Sequence, residues 1–464
     1  MNRNQIKILS PCGILGYGFP DASFNRGLAD TPDAIVVDAG STDAGPHKLG
    51  AGVAIVSRRA AKKDLKRIIN GGADLKIPVI IGSAGGSGGR VHVEWTLSII
   101  NEIWMEENLA PMKTMIIWAD IPKETIKAAI ENNKVSPLGD KVPPLTARTL
   151  ETTGSVVAQM GAEPILEALR SGAQLIICGR AYDPAPFAAV GIHFGCDPAL
   201  SYHMGKILEC GALCCDPGTT KDCMMGVLED NCFEVYPCSP DRKCTTLSVA
   251  AHTFYEKEHP VVHYGPGILL DLSACEFTQV SPGRVRICGS KVKQEPYRIK
   301  LEGARLVAYR TFVIAGVRDP ILIEHIEETE EAVKRNVIEQ YQEIPADTYS
   351  INFFNYGKNG VMGPLEPVKE ASHELCVLFE VLAETQELAS AVCASLRSTF
   401  MHYGYPGRKS TAGNLALPYA PSDVDYGPVY EFSVYHLMSA DDPLVMFPRE
   451  WWSPGQITVK KEAL

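Results

Sequence analysis

No apolar stretch in this chain reaches the ~18–20 residues that cross a bilayer, and the opening Met1-Asn2-Arg3-Asn4-Gln5-Ile6-Lys7 lacks the apolar core of a signal peptide. A cytoplasmic protein without membrane association is expected. Positive charge is also short, with 44 Lys and Arg against 55 Asp and Glu and a net charge of −11. That excludes a broad nucleic-acid surface, because gripping a phosphate backbone takes a clustered cationic face. There is no repeat and no low-complexity tract. No Gly-Lys-Ser/Thr closes a P-loop, and no clean dinucleotide fingerprint follows a strand. Gly82-Ser83-Ala84 lacks the glycines in register for a serine elbow, so an ordinary α/β-hydrolase is not expected.

Cysteine is plentiful, at 14 residues, eight of them between Cys196 and Cys244. Without an export signal they are expected as thiols rather than disulfides. Their spacings never form paired C-x-x-C knuckles, so a metal or iron–sulfur site is not expected from them. The length of 464 residues exceeds one ordinary domain, and the hydrophobic fraction of 45% with 21% charged residues is that of a folded, enzyme-sized chain.

The most informative stretch is Pro78 to Trp104. A short apolar run, Val79-Ile80-Ile81, breaks into Gly82-Ser83-Ala84-Gly85-Gly86-Ser87-Gly88-Gly89-Arg90 and then into helical spacing. Strand, glycine loop and helix favour an anion, since glycines let backbone N–H groups converge while a helix start offers its unpaired N–H groups and positive dipole end. Tight βα packing is the other reading of the same glycines. Further strands are expected at Ile6–Leu9, Ala34–Val37, Lys113–Ala119 and Gln174–Cys178, alternating with helices near Ala22–Ala29, Ala60–Asn70, Lys123–Asn132 and Gly161–Ser171. This rhythm predicts a doubly wound, mostly parallel sheet over residues 1–195. An α+β domain with antiparallel strands is expected over 196–464, with a cysteine-rich segment at 196–244, a β-rich part at 261–317 and a mixed remainder. Within it Glu302-Gly303 reads as a turn between two short strands, Tyr297–Leu301 and Arg305–Val313.

Loops that follow parallel strands share one edge and converge on one cleft. Their cargo supplies the candidates. Asp38 and Asp43 flank hydroxyls and suit a divalent cation such as Mg or a general acid, with helix capping as the plain alternative. Arg180 suits a substrate carboxylate and Asp183 its orientation or a proton transfer, with a structural ion pair as the alternative. His252 with Glu256 at i,i+4, and Glu209, suit base and orienting carboxylate, against a buried histidine serving the fold alone. Ser41, His47, Gly82, Ser83, Gly85, Gly86 and Arg90 complete the expected substrate contacts. Cys178 and Cys210 are nucleophiles only if a histidine or helix terminus lies beside them.

Several phrases resemble the acyclic terpene utilisation (AtuA) family: Asp38-Ala39-Gly40-Ser41-Thr42-Asp43-Ala44-Gly45-Pro46, Gly82-Ser83-Ala84-Gly85-Gly86, Gly179-Arg180-Ala181-Tyr182-Asp183-Pro184-Ala185, Met204-Gly205-Lys206-Ile207-Leu208-Glu209-Cys210-Gly211-Ala212, Ser248-Val249-Ala250-Ala251-His252-Thr253, Gly413-Asn414-Leu415-Ala416 and Gly427-Pro428-Val429-Tyr430-Glu431-Phe432. The resemblance implies a place in catabolism, the family being named for bacterial clusters that degrade citronellol- and geraniol-type terpenoids through acyl-CoA intermediates. Other members are associated with amino-acid and short dicarboxylate fermentation. It also implies a small companion domain or subunit, which this chain is expected to lack after Trp452, and hence a homo- or hetero-oligomer. It carries over no catalytic residues. The expected activity is a lyase or hydratase that moves a proton α to a carbonyl on a short carboxylic acid or its acyl-CoA ester. The alternatives are a noncatalytic ligand-binding or scaffold subunit and a hydrolase or acyl transferase using cysteine. The cofactor and any metal are left open.

Overall fold

In the apolar runs read above, successive residues face opposite sides of the sheet, and both sides are buried. Ile8, Val36, Ile80 and Ile176 enter one core, whereas Leu9, Ile35, Val37, Val79, Ile81, Leu175 and Ile177 enter another. Strands covered on both faces have no polar face to show, which is why they read as continuous hydrophobic runs. The computed structural model describes residues 5–40, 45–255, 258–345, 347–409 and 411–454.

The five parallel strands are β1 (Ile6–Ser10), β2 (Ala34–Asp38), β3 (Val79–Gly82), β4 (Thr114–Ile117) and β5 (Leu175–Cys178). Antiparallel strands extend the sheet at both edges: β6 (Met224–Leu228), β7 (Cys232–Pro237), β8 (Glu276–Ser281), β9 (Arg284–Cys288) and β10 (Arg449–Trp452). The order is β8-β9-β7-β6-β1-β2-β3-β5-β4-β10. The expected parallel sheet is thus the centre of a larger mixed one, to which strands from beyond residue 195 belong. Sequence periodicity does not reveal this, because an edge strand pairs through its backbone.

Helices α1 (Asp21–Ala29), α2 (Arg58–Leu75) and α3 (Arg90–Glu107) cover one face with Phe24, Leu65, Ile68, Leu97 and Ile100. The other face receives α4 (Glu163–Arg170), α5 (Ala185–His193) and α6 (Pro198–Leu208). The helix α7 (Thr246–Phe254) begins with a capping box in which the Thr245 and Ser248 side chains each bond the other's backbone N–H.

Two compact units are formed, one of Met1–Arg305 with Phe432–Leu464, the other of Leu306–Glu431. In the second, the segment Tyr309–Val317 pairs antiparallel with the strand Leu375–Ala383, which also pairs with Tyr349–Tyr356. The helices Ile326–Gln340 and Gln386–His402 contribute Val333, Val337, Val392, Leu396 and Phe400 to its core. Glu330 is buried there at 5% exposure, its Oε2 accepting from Asn355 Nδ2 at 3.1 Å. Its Oε1 and Asn355 Oδ1 are both buried without a partner among the described residues.

One element differs from the expectation outright. No turn interrupts Glu302-Gly303: a single strand runs from Arg298 to Val317. Glu302 is 3% exposed and Gly303 pairs with Val156, where a Cβ would press on the side chains of Thr153, Val156 and Val434. The charged residue points inward, and the glycine admits a neighbouring strand instead of making a turn.

Candidate functional site

The sheet reverses its winding at β3 and β5. The chain leaves β3 into α3 on one face and leaves β5 into α5 on the other, the topological switch point at whose carboxyl ends open α/β sheets bind ligands. Two loops meet there. Residues 83–89 bring Ser83 in a left-handed conformation (φ 46°), and Arg180 N donates to Gly88 O at 3.1 Å. Glycine is required at position 88, where a Cβ would collide with the backbone of Arg180. Glycine at position 40 likewise leaves room for the Ser83 side chain and Gly86 O.

Asp38 ends β2, Asp183 follows β5 and Glu209 caps the C-terminus of α6, and their carboxylate oxygens lie within 4.8 Å of one another. Asp38 is 2% exposed and accepts from the N–H groups of Ala39 at 2.9 Å and Gly40 at 3.2 Å. Burial, then the adjacent Asp183 and Glu209 charges, hold its carboxyl well above the usual carboxylate range, against Arg180 and the Gly40 N–H. Lys206 Nζ, also buried, pairs with Glu209 at 2.7 Å and lies 5.0 Å from the Tyr255 ring.

Arg180, 2% exposed, is the bracket of the cluster. Nη1 donates to Ser83 Oγ at 3.0 Å, Asp183 Oδ1 at 3.0 Å and Ala181 O at 3.1 Å, and Nε donates to Glu302 Oε2 at 3.0 Å. Glu302 in turn takes Lys300 Nζ at 3.0 Å and Gln159 Nε2 at 3.1 Å. The Nε and Nη1 donors of the guanidinium are thus directed to protein groups. Glu302 and Lys206 are the members of this network that sequence reading passed over. Lys206 had a signal, since it stands three residues before Glu209 on a helix.

His252 lies on α7, 6% exposed, its ring 5.0 Å from that of Tyr255 and its Nε2 without a hydrogen-bond partner among the described residues. Burial and then Lys206 push it down to about 3, against a hydrogen bond with the Ile207 backbone. The imidazole is therefore held in its neutral form at physiological pH. Its ring resonances are expected to stay fixed between pH 5 and 8 in a 1H–15N spectrum; a titration near 6.5 would contradict this placement.

The remaining candidates are dispersed. Arg90 is exposed, its guanidinium 3.9 Å from the Trp118 ring centroid. The first N–H of its helix donates to Asp120 Oδ1 at 3.1 Å, so the chain's own carboxylate meets that helix end. Gly82 ends β3 opposite Asp38. Gly85 packs on His92 and Gly86 on Ile55, so these glycines serve close packing. The run Gly85-Gly86-Ser87-Gly88-Gly89 does have the G-x-S-x-G spacing, but Ser87 lies five residues past the end of β3, away from the turn that makes an elbow. His47 sits in the short helix Pro46–Ala51. Ser41, Asp43 and Glu256 lie outside the described residues. Cys178 is fully buried at the end of β5, and burial with the nearby Asp38 raises its thiol far above the range of a nucleophile. The Cys210 Sγ is 3.6 Å from the Tyr255 hydroxyl.

A cavity of about 370 Å3 is lined by Leu138, Tyr182, Ile268 and Leu437 together with Arg298 and Lys300 and the carboxylates Glu258 and Glu295. Tyr182 adjoins Asp183 in the chain, and Lys300 shares Glu302 with Arg180. Among the described residues no helix is long and apolar enough to cross a membrane.

These features define an α/β protein with a carboxylate-rich crevice at the switch point of its sheet. No curated protein and no solved structure matches the chain. The acyclic terpene utilisation family model AtuA matches residues 59–422, and the chain belongs to that family.

Proposed function

We propose that the chain is a catabolic enzyme that transfers a proton α to a carbonyl, with addition or loss of water, on a short carboxylic acid or its acyl-CoA ester. The family's description supplies the setting, the utilisation of acyclic terpenes. The observation that carries the reading is the trio Asp38, Asp183 and Glu209, whose environments differ. Among the described residues Asp38 has no ion-pair partner, and it is driven towards its protonated form, whereas Asp183 is held by Arg180 and Glu209 by Lys206. Neighbouring carboxyl groups in unlike surroundings, one of them pushed towards its protonated form, are the equipment of paired acid and base catalysis. In this reading Asp38 is the acid, Asp183 or Glu209 the base, and Arg180 a positioning residue. Asp183 and Glu209 also suit a hard divalent cation such as Mg, which would supply positive charge beside the substrate; on Asp38 it would displace the acid's proton. The cavity, largely apolar and with Arg298 and Lys300 set against Glu258 and Glu295, suits the acyl part of the substrate. A separately encoded small companion subunit remains part of the proposal, as does an oligomer.

The test follows deuterium uptake from solvent at the α carbon of short branched acyl-CoA esters and free acids, with and without Mg, with the companion present. Uptake is expected, and Asp38→Asn is expected to slow it by about 100- to 10,000-fold, the usual worth of a positioned acid or base. Uptake unchanged in Asp38→Asn would remove the acid role. A protein that binds these ligands without any exchange would be the noncatalytic subunit instead.

A further inference from the structure

The cysteine-rich segment carries a second cluster, apart from the carboxylates in its chemistry. Cys214 and Cys215 end a 3-10 turn, and Cys244 immediately precedes the Thr245 cap of α7. Their three sulfurs lie within 4.8 Å of one another, with Cys215 Sγ 3.7 Å from Cys244 Sγ. A fourth sulfur, Met224 Sδ on β6, is 3.4 Å from Cys215 Sγ. Cys214, Cys244 and Met224 are fully buried and Cys215 is 5% exposed.

We propose that Cys214, Cys215 and Cys244 hold a soft metal ion of the Zn2+ or Cu+ kind, with the Met224 thioether as an additional sulfur within reach. Three observations converge on this. The first is the donor set, since thiolate and thioether sulfur selects these ions over hard cations. The second is spacing: a metal bound tetrahedrally at about 2.3 Å from sulfur holds its sulfurs about 3.8 Å apart, close to the 3.7 Å separation found.

The third is preorganisation. Asp216 and Lys243 pair their backbones in both directions, Asp216 N to Lys243 O at 2.8 Å and Lys243 N to Asp216 O at 3.2 Å, which fastens the two cysteine-bearing segments together. Arg242 adds a second clasp through Asp222 Oδ2 at 2.9 Å and Pro217 O at 2.6 Å. Its guanidinium also brings positive charge near a site whose three thiolates outnumber the charge of either ion. Linear spacing conceals the site because Cys244 comes 29 residues after Cys215 and reaches it only through this backbone pairing. An ion here would tie the segment around Cys214 to the start of α7, the helix that carries His252.

The full chain, purified under reductant and freed of metal, is titrated with Co2+ as a spectroscopic substitute for Zn2+, and separately with Cu+ against a chromogenic chelator. One equivalent is expected to bind, with sulfur-to-cobalt charge-transfer absorption in the first case or retention of copper against the chelator in the second. The arm that saturates at the lower free metal identifies the ion. Cys244→Ser is expected to abolish the signal, whereas Cys393→Ser, in the other unit, leaves it unchanged. Should Cys244→Ser fail to fold, X-ray absorption of the loaded wild-type chain decides, with a first shell of three or four sulfurs at about 2.3 Å expected. No binding of either ion, a signal surviving in Cys244→Ser, or a first shell of nitrogen and oxygen would overturn the site.

Discussion

Arg180→Met is expected to lower the free energy of unfolding by about 3–5 kcal/mol in urea titrations, the cost of removing one partner from a buried ion pair. The side chain is 2% exposed, and its loss leaves Glu302, 3% exposed, with Lys300 and Gln159 but without its guanidinium partner. It also frees Asp183 to repel Asp38 and Glu209. Adding Glu302→Gln to Arg180→Met is expected to recover part of the loss, with a coupling of about 1–3 kcal/mol between the positions. A single-variant cost below 1 kcal/mol, or strict additivity, would show that solvent reaches the guanidinium and that it does not bracket the loops.

Glu330→Gln is expected to stabilise the chain by about 3 kcal/mol at pH 8.5 and to leave stability unchanged near pH 4.5. Burial pushes the Glu330 carboxyl up to about 7, with Glu327 and Glu331 adding to it and Asn355 and Lys358 opposing. Its folded value therefore lies above its unfolded one. The protonated acid contributes stability that is fully present below about 4.5 and is lost as pH rises through 7. Protonation makes the carboxyl neutral and supplies a donor where, among the described residues, Glu330 Oε1 and Asn355 Oδ1 are both buried without partners. The glutamine amide is neutral and offers a donor at every pH. Urea titrations of both proteins across this range, read on the transition that involves residues 306–431, give the comparison; parallel curves would mean the carboxylate is charged and hydrated throughout.

Much of the central sheet was legible because its strands are buried on both faces, and such runs leave an unambiguous apolar record. Asp38 and Arg180 were legible as site candidates for a related reason: polar residues directly after such runs stand at the sheet's carboxyl edge. Glu302 was not. A glutamate before a glycine normally signals an exposed turn, and only the distant Arg180, 122 residues earlier, makes burial of that charge tolerable. The same limit hides the sulfur cluster, whose members are joined by backbone pairing between loops. Sequence shows what a residue can do, but not which distant residue cancels its charge. The glycine loop shows the reverse case, in which local pattern suggested an anion while Gly85, Gly86 and Gly88 fit against His92, Ile55 and Arg180.

The strand β10 pairs residue for residue with β4, Arg449 with Ile117 and Trp452 with Thr114, and Trp452 stacks on Trp104 with ring centroids 5.4 Å apart. More than three hundred residues separate the partners. During synthesis at about 5–20 residues per second, β4 therefore stands as an open edge for some 15 to 70 seconds before its neighbour has left the ribosome. An apolar strand with unpaired backbone groups is a template for other chains over that interval. The nascent chain has to be shielded, or has to fold late, so a slower ribosome or a chain that stops short of Arg449 is a route to aggregation rather than to a smaller working protein.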